Sequence, residues 1–139
     1  MNLPPPLPNL TLQKQPSGVT CSQTCLAMAL GRPVQEVIEV FGAAPLGQQD
    51  LVSALQRCGF SFNCLTFGSL IATGWYFLAV PSLNNVGGMH EVIVHYNADF
   101  GCSGFRVLDP SNQKTYDIDG KNLVTWSSPI LFIPGGRLP

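Results

Sequence analysis

The chain has 139 residues, a length that suits one domain burying about two-thirds of the surface its unfolded form would expose. Charged residues make up 11% against 45% hydrophobic, well below the roughly 25% charged content of an average domain, so the surface must consist largely of uncharged polar residues, Pro and Gly. The formal net charge of -1 comes from 7 basic and 8 acidic residues with no run of either sign, which excludes the electrostatic footprint of a nucleic-acid binder.

The N-terminal MNLPPPLPNL lacks the basic start and unbroken apolar stretch of a secretory signal, and its prolines would break the helix such a segment forms. Residues 1–14 are therefore expected to be an extended proline-rich arm, on a protein that is cytoplasmic or delivered without a classical signal peptide. A first helix is predicted from about Thr20–Ser22 through CLAMAL to a stop at Gly31. Pro33 opens a second, in which Val34, Val37, Ile38 and Phe41 recur at helical spacing before Gly42. QQDLVSALQRCG makes a third, with Leu51, Ala54, Leu55 and Cys58 on one face and a stop at Gly59.

From Phe60 the pattern changes to short apolar runs broken by Gly, Pro and Asn. FSFNCLTF, WYFLAVPS, HEVIVHY, GFRVLDP, KTYDID and SPILFIP read as strands. Helices first and strands afterwards is the layout of an α+β domain, its helices packed on one face of an antiparallel sheet. The domain is expected to span 15–134, with 135–139 as a flexible tail. The longest apolar stretch, Leu70 to Val80, falls well short of the ~20 residues a membrane span requires.

Five cysteines, Cys21, Cys25, Cys58, Cys64 and Cys102, form no CxxC pair, and only two histidines accompany them. The odd count points to reduced thiols and against a zinc site, so no metal and no cofactor are expected. Cys21 stands at a predicted helix start, where unpaired backbone N–H groups and the helix dipole stabilise a thiolate. His90 opens an apolar strand and Asp109 closes the next. His95 competes with His90, but five residues along an extended strand put the two on opposite faces, so only one can meet Cys21, and His90 is the choice. Asp109 also suits the turn Asp-Pro-Ser-Asn, a role compatible with holding a histidine. Cys25, one turn beyond Cys21, reads as a small core residue rather than a resolving thiol, and Trp75 and Tyr76 read as core or rim. Gly87-Gly88 supply a turn before the His90 strand or a loop that gates the site.

These features resemble the papain-like bacterial peptidases that remove double-glycine leader peptides. In that family a Gln precedes the nucleophilic Cys by six positions, a second Cys follows it by four, and an apolar run completes the helix; Gln15, Cys21, Cys25 and Leu26-Ala27-Met28 fall in that register. Val80-Pro81, Met89-His90 and Asp109-Pro110 look like the family's later strand features. The chain departs from the pattern at Thr20 and Ser22, where the family has Asp and Gly around its Cys, and at Met89, where Gly is common.

The resemblance implies a papain-like cysteine peptidase fold with Cys21 as nucleophile, His90 as acid and base, and Asp109 as the residue orienting the imidazole. It further implies an oxyanion hole from Gln15 and the Cys21 N–H, with Gln13 and Gln23 as weaker candidates. The implied function is hydrolysis of a peptide bond in a peptide or protein substrate through an acyl-thioester. An effector-type thiol amidase or deamidase on the same fold, and a catalytically silent papain-like binding module, are the competing readings. The tail contains Gly135-Gly136, the dipeptide after which the resembled family cuts; a flexible tail is the preferred reading of it.

Overall fold

A computed structural model describes residues 10–65, 72–81, 89–99, 105–111, 114–118 and 127–139. Residues 1–9 of the arm, Gly87-Gly88 and Cys102 lie outside the described residues.

Three helices come first, α1 (Cys21–Leu30), α2 (Val34–Phe41) and α3 (Gln48–Arg57). Every residue of α1 from Ser22 to Ala29 is buried, as expected for a helix packed on all sides. Its polar side chains must then find partners inside the protein. Thr24 Oγ1 donates to Thr20 O at 2.8 Å, and Gln23 Nε2 donates to Gly42 O and Ala44 O at 3.1 and 2.6 Å. Gln23 thus ties α1 to the loop after α2. Gly31 ends α1 in the left-handed region at φ 68°, where a side chain would be strained. Gln13 spans the start of α2, accepting from Val34 N–H at 2.9 Å and donating to Arg32 O at 2.7 Å. Its amide is occupied as a helix cap supplied from outside the helix.

The strands are β1 (Phe62–Cys64), β2 (Gly74–Pro81), β3 (Met89–Tyr96), β4 (Phe105–Asp109), β5 (Lys114–Ile118) and β6 (Ser127–Phe132). They form one antiparallel sheet in the order β1-β6-β2-β3-β4-β5. The last strand is thus inserted between the first two. The period-2 alternation gives the sheet two apolar faces. Trp75, Phe77, Ile93, Leu108, Ile130 and Phe132 form one core with Leu26, Met28, Val37, Leu51 and Leu55 of the helices. Tyr76, Leu78, Val92, Val94, Phe105 and Val107 form the core of the opposite face. The molecule is therefore an α+β domain with its three helices on an antiparallel sheet. No helix among the described residues is long and apolar enough to cross a membrane.

Both ends of the described chain dock on the helical core. Leu10 and Leu12, expected within the arm, pack against it. The segment 135–139, expected as a flexible tail, lies along the end of α3: Arg137 N–H donates to Cys58 O at 2.8 Å, and Leu138 joins the core. A Cβ on Gly136 would lie 2.6 Å from the Phe60 ring and 2.9 Å from Cys58 O, so the double glycine has a packing reason of its own.

Candidate functional site

The N-terminus of α1 meets the beginning of β3 and the end of β4. Within the β3/β4 ladder the pairs run from Ile93↔Leu108 to Tyr96↔Phe105, so His90, Glu91 and Val92 project past it toward α1. Thr20 makes no side-chain cap on α1; its hydroxyl is taken up with Ser17, donating to Ser17 O at 3.2 Å and accepting from Ser17 N–H at 3.2 Å. The first-turn N–H groups of α1 are left without a side-chain cap, and an uncapped helix start favours a negative charge.

Cys21, His90 and Asp109 are brought together at this junction. Cys21 is half-buried. Burial pushes its thiol up, but hydrogen bonds from His90 and the Glu91 N–H, the His90 charge and the Ser22 hydroxyl outweigh it and hold the thiol below its ordinary value. His90 Nε2 lies 2.8 Å from Asp109 Oδ1, which leaves Nδ1 as the nitrogen for Cys21. Burial alone would lower His90; the bonds to Asp109 and Cys21 raise it instead to about 9. Asp109 Oδ1 also accepts from Ser111 N–H at 2.9 Å and Ser111 Oγ at 2.7 Å. Against its burial, His90 and the two Ser111 donors bring Asp109 down to about 2. The result is a row in which a carboxylate and an imidazolium stand behind a thiol whose ionisation they favour, an arrangement suited to nucleophilic attack by sulfur and proton delivery from the ring.

The other candidates are placed as follows. His95 lies toward the far end of β3, its ring 4.9 Å from that of Trp75 and its register partner on β4 Arg106. Burial and then Arg106 lower it. Gln15 is pinned beside the site by its backbone, N–H to Pro110 O at 3.0 Å. Its Nε2 donates to Ser17 O at 2.7 Å, while its Oε1 is buried without a hydrogen-bond partner among the described residues. A primary amide carries two N–H bonds, so Nε2 retains one donor beyond Ser17. Gln13 and Gln23, the weaker oxyanion candidates, are committed to the α2 cap and the α2–α3 loop. Cys25 is fully buried; its thiol donates to Glu91 O at 3.4 Å and is pushed well up by burial, then by Glu91 and Cys21, so it stays protonated. Trp75 and Tyr76 are both core.

Two residues at the site carry no role in the sequence reading. Ser111 closes an Asx-type turn on Asp109, and the Asp-Pro-Ser-Asn turn signal was the clue to it. Glu91 is buried, its carbonyl facing Cys25 of α1, and its Oε1 has no hydrogen-bond partner among the described residues. The clue was an acid inside an apolar run that reads as buried on both faces.

No cluster of His, Cys, Asp or Glu able to hold a metal ion occurs among the described residues, and Cys21, Cys25, Cys58 and Cys64 are free thiols. Compared with known proteins, the chain matches no protein-family model and no curated protein.

Proposed function

We propose that the protein is a papain-like cysteine hydrolase that cleaves a peptide bond through an acyl-thioester on Cys21. The observation that carries this reading is the hydrogen-bonded row Cys21–His90–Asp109, assembled from a helix start and two strand ends. Cys21 Sγ attacks the substrate carbonyl. The oxyanion is met by N–H groups of the uncapped α1 start, with the free Nε2–H of Gln15 as the second donor. His90 gives its Nδ1 proton to the departing amine as the C–N bond breaks. It then takes a proton from water, whose oxygen displaces sulfur and releases the acid. Asp109 keeps Nε2 protonated throughout, and Ser111 keeps Asp109 in place.

The test is to incubate the protein and its Cys21→Ala variant with a complex peptide mixture and to identify new termini by mass spectrometry. Cys21-dependent cleavage at a recurrent sequence supports the proposal. Loss of ammonia from side-chain amides without new termini would replace it by the deamidase reading, and no Cys21-dependent product at all would refute it. The Gln15 amide turned onto Ser17 favours a second reading, a silent binding module that keeps the scaffold. Cys21→Ala would then retain peptide capture unchanged.

A further inference from the structure

Glu91 has no part in the chemistry above, yet it is built into the same cluster. Its peptide group touches both α1 thiols, the N–H donating to Cys21 and the carbonyl accepting from Cys25. Its side chain is buried, and Oε1 lacks a hydrogen-bond partner among the described residues. The groups acting around it are Cys21 and Cys25 from α1 and His90 from β3, while its register partner on β2 is the uncharged Ala79. Asp109 of β4 adds its negative field to Cys25. The row Cys21, His90, Asp109 already carries one net negative charge in its reactive state. A second unpaired anion in this buried cluster is strongly disfavoured. Because the Cys21 charge weighs on Glu91 more than the His90 charge does, an ionised Glu91 favours the thiol–imidazole form of the pair, which has the same net charge with less repulsion.

We propose that Glu91 is a positioning residue that permits the Cys21–His90 ion pair while it is a neutral acid, and that its ionisation returns the pair to thiol and imidazole, setting the alkaline limit of the site. The proton balance is complete: Glu91 releases one proton to solvent, and the Nδ1 proton of His90 moves to Cys21 Sγ. Burial first, and then the Cys21 charge, raise Glu91 to about 8, with His90 opposing, so the limit falls just above neutrality. The inference rests on the ion-pair reading of Cys21 and His90.

The experiment is the rate of Cys21 alkylation by iodoacetamide from about pH 5 to about pH 10, read by peptide mapping, in the wild type and in Glu91→Gln. Both proteins should gain reactivity together below neutral pH. Above about pH 8 the wild-type rate should fall by about twofold to tenfold, since one pKa unit of coupling shifts the ratio of ion pair to neutral pair by about ten, while Glu91→Gln stays on its plateau. Coincident alkaline limbs would overturn the role of Glu91. A wild type with no reactive phase below neutral pH would instead overturn the ion pair, so the two failures are distinguishable. If Glu91→Gln does not fold, infrared spectra of wild type carrying 13C-labelled Glu decide the matter. A protonated carboxylic acid band at neutral pH that vanishes as pH rises through about 8 supports the role, and its absence at neutral pH overturns it.

Discussion

Replacing Asp109 by Asn removes the charge behind His90 while keeping an oxygen that can accept from Nε2. His90 stands at about 9 against an ordinary 6.5, and Asp109 at about 2 against 3.8. At about 1.4 kcal/mol per pKa unit, each shift corresponds to roughly 2–3 kcal/mol. The histidine shift is the larger because Cys21 adds to the pull of Asp109 on the ring. The side chains are 14% and 8% exposed, so solvent screens the pair little. With the hydrogen bond and Cys21 retained, Asp109→Asn should lower His90 by roughly 1–1.5 units. The chain has only two histidines, so imidazole resonances followed by NMR against pH report each one separately. His95, held low by burial and Arg106, is the internal control. An unchanged His90 midpoint, or equal movement of both histidines, would refute the electrostatic account of the row.

Gln15→Ala should reduce kcat on any cleaved peptide by about 10²-fold while leaving Cys21 alkylation unchanged, because alkylation forms no oxyanion; equal loss in both assays would assign Gln15 to positioning Cys21. Gly136→Ala should destabilise the fold by about 1–3 kcal/mol in urea unfolding, since the new methyl meets the Cys58 carbonyl and Phe60, whose ring is held edge-on against Phe132 at 5.9 Å; an unchanged midpoint would show that the tail does not dock. Glu91, raised from 4.5 to about 8, makes a contribution that is complete below its unfolded value and is lost as pH rises through its folded one. Above its unfolded value His90, raised to about 9, adds to this fall, and Cys21, lowered from its ordinary value, opposes it; both are common to wild type and Glu91→Gln. Stability should therefore fall by roughly 1 kcal/mol per pH unit between about pH 5 and about pH 8, and Glu91→Gln should flatten this slope in thermal or urea unfolding at the two ends of the range. Parallel pH dependence in the two proteins would contradict a neutral Glu91.

The helices and strands were legible because each carries its own periodicity and its own stop. Gly31, Gly42 and Gly59 end or follow the helices, and all six apolar runs contain strands. The insertion of β6 between β1 and β2 was not legible, since pairing between distant segments leaves no local mark. The docking of Arg137 and Leu138 was hidden for the same reason: Gly135-Gly136 has the composition of a flexible linker, and only the position of Phe60 shows why Gly136 must be small. At the site, the choice of His90 over His95 followed from the period of a strand. The position of Gln15 did not, because its amide conformation depends on the Ser17 carbonyl, which no spacing rule predicts. Ser111 was present in the turn signal without its role, and Glu91 in the apolar run without its contact to Cys25 of α1.

The most direct test of the central claim is the pH dependence of Cys21 alkylation, mapped peptide by peptide, in the wild type and in His90→Ala. An ion pair predicts that Cys21 alone reacts below about pH 7, where an ordinary thiol is protonated, and that His90→Ala moves this reactivity to higher pH. Cys21 reacting in step with the other thiols, with no response to His90→Ala, would contradict a thiol hydrolase built on this pair.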